Sequence, residues 1–312
     1  MKILTVSKND SGQRLDKYLL KVFPKLPKSL MYKEIRKKNI KINKKRTQPD
    51  YIINEGEEIS LYLKDDVLEE KKKHYDFMKA PSELDILYED GNIMLINKRP
   101  GLLCHPDGKE YTATLIAAVK RKLFESGEWD PNESEAFTPS LANRIDRNTG
   151  GIVIAAKNAQ SLRILNEKIK TREIEKHYLA LVYGIPQKKN ERLISYLFKD
   201  SSKSFVYISD VPKKGYQKII TSYSLIESFD NNTSLLDIEI ETGRTHQIRA
   251  HLAHIGLPII GDGKYGINEI NKKFKVKAQK LVSYKLIFRF EHDSKILEYL
   301  NRKSFELKNK NI

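Results

Sequence analysis

An acid set between two arginines marks the first place in this chain where chemistry could be done. Arg144-Ile145-Asp146-Arg147 is followed by Asn148-Thr149-Gly150-Gly151 and then by the apolar run Ile152-Val153-Ile154-Ala155-Ala156. Cations close to a carboxylate favour its charged form. Gly150 and Gly151 permit backbone angles that other residues resist, so a tight turn is expected there. The run 152–156 is short and rich in β-branched residues, which reads as a buried strand. An ionised acid on a turn at the mouth of a buried strand is well placed to act as a nucleophile. A surface cluster of ion pairs is the commoner meaning of such residues taken alone.

Four other stretches carry reactive groups. Residues 242–252 hold Arg244, His246, Arg249 and His251, with His254 just beyond. Zinc is one explanation for the histidines, but His-Glu-x-x-His is absent and the three do not share a helix face, so no metal is expected. Arginine near a helix start opposes the helix dipole unless an acid or a phosphate answers it. Residues 176–182 place Tyr178 in a strand, where core packing is the ordinary role of tyrosine. Gly261-Asp262-Gly263-Lys264-Tyr265-Gly266 fits a loop and has too few glycines in register to cradle a nucleotide. Asn97-Lys98-Arg99-Pro100-Gly101, with Cys104-His105-Pro106, is weak alone.

These groups must be positioned by a chain of 312 residues with a net charge of +16. That length suits one large domain or two. The excess of cations favours a polyanion, either nucleic acid or an anionic membrane surface. No apolar run is long enough to span a bilayer, and the first residues lack the apolar segment of a signal peptide, so a cytoplasmic protein without a membrane partner is expected. The single cysteine, Cys104, excludes an internal disulfide and a four-cysteine zinc ribbon.

Residues 1–63 read as a small basic α+β module. A short strand leads to a helix with Leu15, Leu19 and Val22 on one face, ended by Pro24 and Pro27. A helix over 28–38 turns Leu30, Met31 and Ile35 inward, and strands follow at 40–44 and 58–63. Arg14, Lys17, Lys28, Lys33, Arg36 and Lys37 are expected to meet phosphates, which position RNA without reading its sequence. Residues 64–84 read as an exposed charged linker. Over 85–312 the spacing predicts strands at 93–98, 152–156, 176–183, 218–226, 234–241 and 281–290. It also predicts helices at 114–124 and 159–170, with Asn158 as an N-cap. Residues 186–215 are expected to be irregular, with lysines on short hairpins. Many strands with few helices between them argue for an α+β fold with a mostly antiparallel mixed sheet.

The module's Gly12-Gln13-Arg14-Leu15-Asp16-Lys17-Tyr18-Leu19, Leu26-Pro27-Lys28-Ser29, Ile40-Lys41-Ile42-Asn43-Lys44 and Glu55-Gly56-Glu57-Glu58-Ile59 resemble the RNA-binding domain named after small-subunit ribosomal protein S-four. Pro27-Lys28 stands where Ser-Arg is frequent, and Asn39 where a turn glycine is frequent. Asn39 is therefore expected to take the left-handed conformation.

The remainder resembles the RluA family of pseudouridine synthases. The resemblance rests on Asn97-Lys98-x-Pro100-Gly101 with His105-Pro106 and on Arg144-Ile145-Asp146-x-x-Thr149-x-Gly151. It continues through Lys176-x-Tyr178-Leu179-Ala180-Leu181-Val182, Gly243-Arg244-Thr245-His246-Gln247-Ile248-Arg249-x-His251 and Gly261-Asp262-x-x-Tyr265-Gly266. It implies that Asp146 is the catalytic aspartate, Arg249 its ion-pair partner and Tyr178 the ring beside the base, with a part in proton removal. Arg144 would enter the space left by a flipped nucleotide. Arg244, Arg147 and Leu281 would contact substrate, Arg147 with no task beyond phosphate.

Asn143, Gly150 and the segment Lys280-Leu281-Val282-Ser283 depart from the family's usual residues. The implied activity is isomerisation of uridines in RNA, most characteristically large-subunit ribosomal RNA, free or in pre-ribosomal particles. A monomer and no cofactor are expected. Attack on the ribose, attack on the pyrimidine and abstraction of a ribose proton all remain open for Asp146. A non-catalytic RNA-binding ribosome-assembly factor is the alternative.

Overall fold

The structure, a computed structural model, describes residues 1–69, 75–132, 136–276, 278–309 and 312. The N-terminal part pairs β1 (Lys2–Thr5), β2 (Ile40–Ile42), β3 (Lys45–Arg46) and β4 (Glu58–Leu61) into an antiparallel sheet of order β1-β4-β2-β3. Helices α1 (Leu15–Val22) and α2 (Lys28–Arg36) close its core with Leu15, Leu19, Val22, Met31 and Ile35. Leu30 is only half-buried, whereas Met31 is fully buried. The left-handed residue after α2 is Lys38 at φ 65°, not Asn39. It lets the Asn39 N–H reach back to the Glu34 carbonyl, and the Asn39 side chain donates to the Glu34 carboxylate.

The segment expected to be an exposed linker is exposed only in part. Leu68 packs into the N-terminal core, and Phe77 and Ala80 pack into the core of the following part. Of the charged run 69–73, only residue 69 lies among the described residues.

From residue 86 on, eleven strands among the described residues share one sheet. In chain order, these elements are β5 (Ile86–Glu89), β6 (Ile93–Lys98), α3 (Leu115–Glu125), β7 (Ser140–Leu141), β8 (Gly150–Ala156) and α4 (Ala159–Lys170). Then come β9 (Ile174–Tyr183), β10 (Asn190–Asp200), β11 (Phe205–Ser209), β12 (Gln217–Phe229), β13 (Thr233–Ile240), α5 (Gln247–His254), α6 (Asn268–Lys273), β14 (Leu281–Phe288) and β15 (Ser304–Glu306). The main path runs β11-β10-β12-β13-β9-β14-β8-β6-β5, with β7 beside β8 and β15 beside β14. Pairing is antiparallel except between β14 and β8. The α+β reading and the mostly antiparallel mixed sheet therefore hold.

β8 is buried on both faces, which explains its unbroken apolar sequence. Val153 and Ala155 face the core built on α3, while Ile152, Ile154 and Ala156 face the one built on α4 and the C-terminal strands. Thr114 caps α3 and Asn158 caps α4 through side-chain acceptors.

Two expectations change. Residues 190–200 and 205–209 form a long hairpin at the sheet edge rather than irregular chain. Gly150 and Gly151 lie inside β8, and the turn is closed earlier, by Thr149 N–H to the Asp146 carbonyl at 3.1 Å.

The two parts of the chain meet at Asp10, which is fully buried. Its Oδ1 accepts the backbone N–H of Ala136 at 2.9 Å and of Phe137 at 3.1 Å, and its Oδ2 accepts the Ser7 hydroxyl. Ala136 packs against the N-terminal core. Replacing Asp10 with Ala removes the acceptor that both backbone groups share, so D10A is expected to lower unfolding stability by about 1–3 kcal/mol. Urea denaturation of the full chain measures this, and an unshifted midpoint would remove Asp10 as the fastening.

Candidate active site

Three neighbouring strands and one helix start converge on a single pocket. The loop ahead of β8 brings Arg144, Ile145 and Asp146. β9 brings Tyr178, the first residue of β14 brings Leu281, and α5 with the turn before it brings Arg244, His246 and Arg249. The empty space of the cleft, its open mouth included, is about 420 Å³. Its floor is apolar, with Ile240, Ile248 and Leu281 packed around Tyr178. A wider opening runs from Asp146 past Arg144 and Arg244 toward Lys199 and Gln217.

The central feature is a row of charges. Arg249 Nε donates to Asp262 Oδ2 at 2.7 Å and Nη2 to Asp262 Oδ1 at 2.9 Å, while Nη1 donates to Asp146 Oδ2 at 2.8 Å. Asp262 is 1 % exposed and also accepts the backbone N–H groups of Lys264 and Tyr265. Burial opposes the charge of Arg249. The bonds and charge of Asp262, then of Asp146, outweigh that and hold its pKa above the ordinary arginine value. Burial likewise opposes the Asp262 carboxylate, and Arg249 overcomes it, so the Asp262 pKa is lowered. The two carboxylates therefore answer the unfavourable dipole position of Arg249 in the first turn of α5.

The loop that carries Asp146 is pinned from behind. Lys98, fully buried, donates through Nζ to the carbonyls of Arg99 at 3.0 Å, Leu102 at 2.8 Å and Arg147 at 2.9 Å. Burial pushes its pKa down to about 8, opposed by Cys104 and by the charge of Asp146. The Cys104 thiol donates to the Ile145 carbonyl and Gln279 donates to the Thr149 hydroxyl. Tyr178 is 5 % exposed, and burial drives its phenol well above the usual tyrosine range.

Six of the seven residues expected to catalyse or touch substrate meet here: Asp146, Tyr178, Arg249, Arg144, Arg244 and Leu281. Arg147 does not. Its Nε donates to the Gly101 carbonyl at 3.0 Å, and the exposed side chain lines neither opening. On the N-terminal part, Lys17, Lys28, Lys33, Arg36 and Lys37 are exposed on α1 and α2. Arg14, in contrast, is engaged by the Asp16 carboxylate through Nε and Nη2.

The histidines have partners other than a metal. His251 bridges the hydroxyls of Thr221 and Ser195, His254 meets Asp210, and His246 meets Tyr265. No group of acids, histidines and cysteines suited to a metal occurs among the described residues. Asp262 and Lys98 stand in the sequence motifs, but the sequence assigned them no role. The demand of Arg249 for an acid was the one signal that could have found Asp262.

Comparison with known proteins places this pocket in company. The family model for RNA pseudouridylate synthase matches residues 92–254, and that for the S4 domain matches residues 13–59. Ribosomal large subunit pseudouridine synthase C of Haemophilus influenzae is 33% identical over 94% of this chain and 88% of its own length. The protein of the same name from Buchnera aphidicola is 33% identical over 88% of this chain and 83% of its own. A solved structure of human RNA pseudouridylate synthase domain containing 4 superposes with a TM-score of 0.55 at 21% identity, covering 72% of this chain and 87% of that one. At that identity it speaks to the fold alone.

Two outcomes follow from the geometry. Asp262→Asn removes one charge from the buried pair and loosens Arg249. Turnover is expected to fall on the order of 100-fold with little change in KM. A folded D262N protein whose KM rises while turnover holds would show that Asp262 does not position Arg249.

His251 is fully buried, and burial pushes its pKa down to about 4, helped by His254 and opposed by Asp210. An unfolded histidine binds its proton near pH 6.5, so the unfolded chain takes up a proton that the folded one refuses. Stability through this group is therefore intact above about pH 6.5 and lost as pH falls toward 4, by about 2 kcal/mol at pH 5. Urea midpoints between pH 7.5 and 5 should fall more steeply for the unaltered chain than for H251Q. Equal slopes would exclude the histidine as the cause.

Proposed function

The chain belongs to the RNA pseudouridylate synthase family, and from that membership we propose that it isomerises specific uridines of large-subunit ribosomal RNA with Asp146 as nucleophile. The reaction breaks the bond between ribose C1′ and N1, turns the base and joins C1′ to C5. C5 loses its hydrogen, N1 gains one, and the atoms balance without a cofactor. Uridine inside a stack cannot present these atoms, so the nucleotide must be flipped into the pocket.

One observation carries the reading. Arg249 holds Asp146 by one oxygen, and the other carboxylate oxygen has no partner among the described residues, inside a pocket walled by Tyr178. That leaves a fixed anion able to form a covalent bond. Tyr178, kept protonated by its burial, is assigned to packing beside the base. Arg144 and Arg244 stand exposed at the mouth, where phosphates or the gap left by the flipped nucleotide would lie. The exposed cations of α1 and α2 support phosphate contact by the N-terminal part. Among the described residues no helix is long and apolar enough to cross a membrane. A ribosomal RNA target puts the site of action in the cytoplasm.

Asp146→Asn is expected to lower tritium release from RNA labelled at uracil C5 by at least about a thousandfold, the order seen when a covalent nucleophile is lost. Release by D146N at the rate of the unaltered chain would sink the assignment and leave RNA binding without catalysis.

A further inference from the structure

The charges of the pocket have tasks, but one polar ring in it has none. His246 lines the pocket with Asp146 and Tyr178. It sits at φ 53°, left-handed, directly ahead of α5. A residue other than glycine held there costs on the order of 1 kcal/mol, and such strain gathers at functional sites.

Its ring is fixed by a relay. The Val206 backbone N–H donates to the Tyr265 hydroxyl at 3.0 Å, and that hydroxyl lies 2.9 Å from His246 Nδ1. No other acceptor for the Tyr265 hydroxyl occurs among the described residues, and we therefore assign its proton to Nδ1. Nδ1 therefore accepts, and the ring hydrogen is on Nε2. Burial lowers the pKa of this imidazole, helped by the charges of Arg249 and Lys264 and opposed by Asp146 and Asp262, which favours the neutral ring. Nε2 has no partner among the described residues.

We propose that His246 reads the flipped base, donating its Nε2–H to a carbonyl oxygen of the uracil ring. The inference rests on the pocket taking a flipped uridine. A neutral donor suits a neutral carbonyl. Phosphate is already matched by the charged and exposed Arg144 and Arg244, and the apolar floor of Tyr178, Ile240, Ile248 and Leu281 suits a flat uncharged ring. A donor whose hydrogen is fixed cannot pair with the amino group that cytosine carries in place of O4. At O4 the contact would select uracil, and at O2 it would only orient the ring.

The test uses the full chain and transcribed large-subunit ribosomal RNA, in which all uridines are ordinary, 4-thio or 2-thio. His246→Phe keeps the ring volume and removes the donor, while His246→Gln keeps a neutral N–H. H246F is expected to lose about 10- to 100-fold in turnover and H246Q to recover part of it. Sulfur accepts hydrogen bonds poorly, so the ratio of unaltered chain to H246F should shrink toward one on the thio-RNA whose sulfur replaces the contacted oxygen. The unaltered chain should itself slow about tenfold on that RNA, a reading that does not depend on any variant folding. H246F turning over within twofold of the unaltered chain, or an unaltered chain indifferent to both thio substitutions, overturns the proposal. Absence of pseudouridine with the unaltered chain on ordinary RNA overturns the proposed function, and this inference with it.

Discussion

A buried guanidinium must be neutralised where it lies, and much of this fold can be understood as the means of doing so for Arg249. One carboxylate would satisfy the charge. The chain supplies two, and they are unequal. Asp262, almost without solvent contact, takes two of the guanidinium nitrogens and two backbone amides. Asp146 takes one nitrogen and stays about a quarter exposed. The inner acid thus carries the cost of burying the arginine, and the outer one is held in place without being used up. A single Arg-Asp pair would have to choose between a tight ion pair and an acid free to react.

Holding Asp146 to that geometry requires a loop that does not drift, and the sheet is built to prevent drift. β14 lies between β9 and β8, so Leu281 and Tyr178 share a neighbourhood with the start of β8. The parallel contact is close: a Cβ on Gly151 would fall 2.1 Å from the Ser283 carbonyl oxygen, so no larger residue fits without moving a strand. Lys98 then ties three carbonyls behind the loop, including that of Arg147, next to the acid itself. On the far side, His251 locks α5 to β10 and β12 through Ser195 and Thr221, which fixes the base of Arg249.

How much of this could be read from residues alone depended on whether a feature was local. The helices at α3 and α4 announced themselves by apolar spacing and by the capping residues Thr114 and Asn158. The strand over 152–156 did so by its β-branched run. The hairpin of β10 and β11 did not. It lies at the sheet edge, where exposed Lys199 and Phe198 replace the apolar alternation that marks a buried strand. Lys38 takes the left-handed turn although Asn39 has the better intrinsic tendency, because the Asn39 side chain is occupied by Glu34. Arg147 had no task beyond phosphate contact in sequence, and its bond to the Gly101 carbonyl, far away in the chain, was not visible there. Asp262 escaped for the same reason: its partner is set by how α5 and the following loop fold back, which no window of residues contains.

The arginines also show how affinity and selection can be kept apart in such a protein. With a net charge of +16 the chain attracts any polyanion, and contacts of that kind carry no sequence information. If the same charges entered the pocket, they would draw phosphate into the place meant for a base. Those that line it are either compensated or exposed at its rim. Arg144 and Arg244 stand at the mouth, Arg249 is spent on two acids, and the floor is apolar. A neutral ring loses little hydration on entering such a floor, whereas a phosphate would lose a great deal there, with Arg249 already spent on two acids. On the proposed reading, the burial that raises the difficulty of keeping Arg249 charged also disfavours phosphate in the pocket. The second carboxylate is what allows both conditions to hold in one pocket.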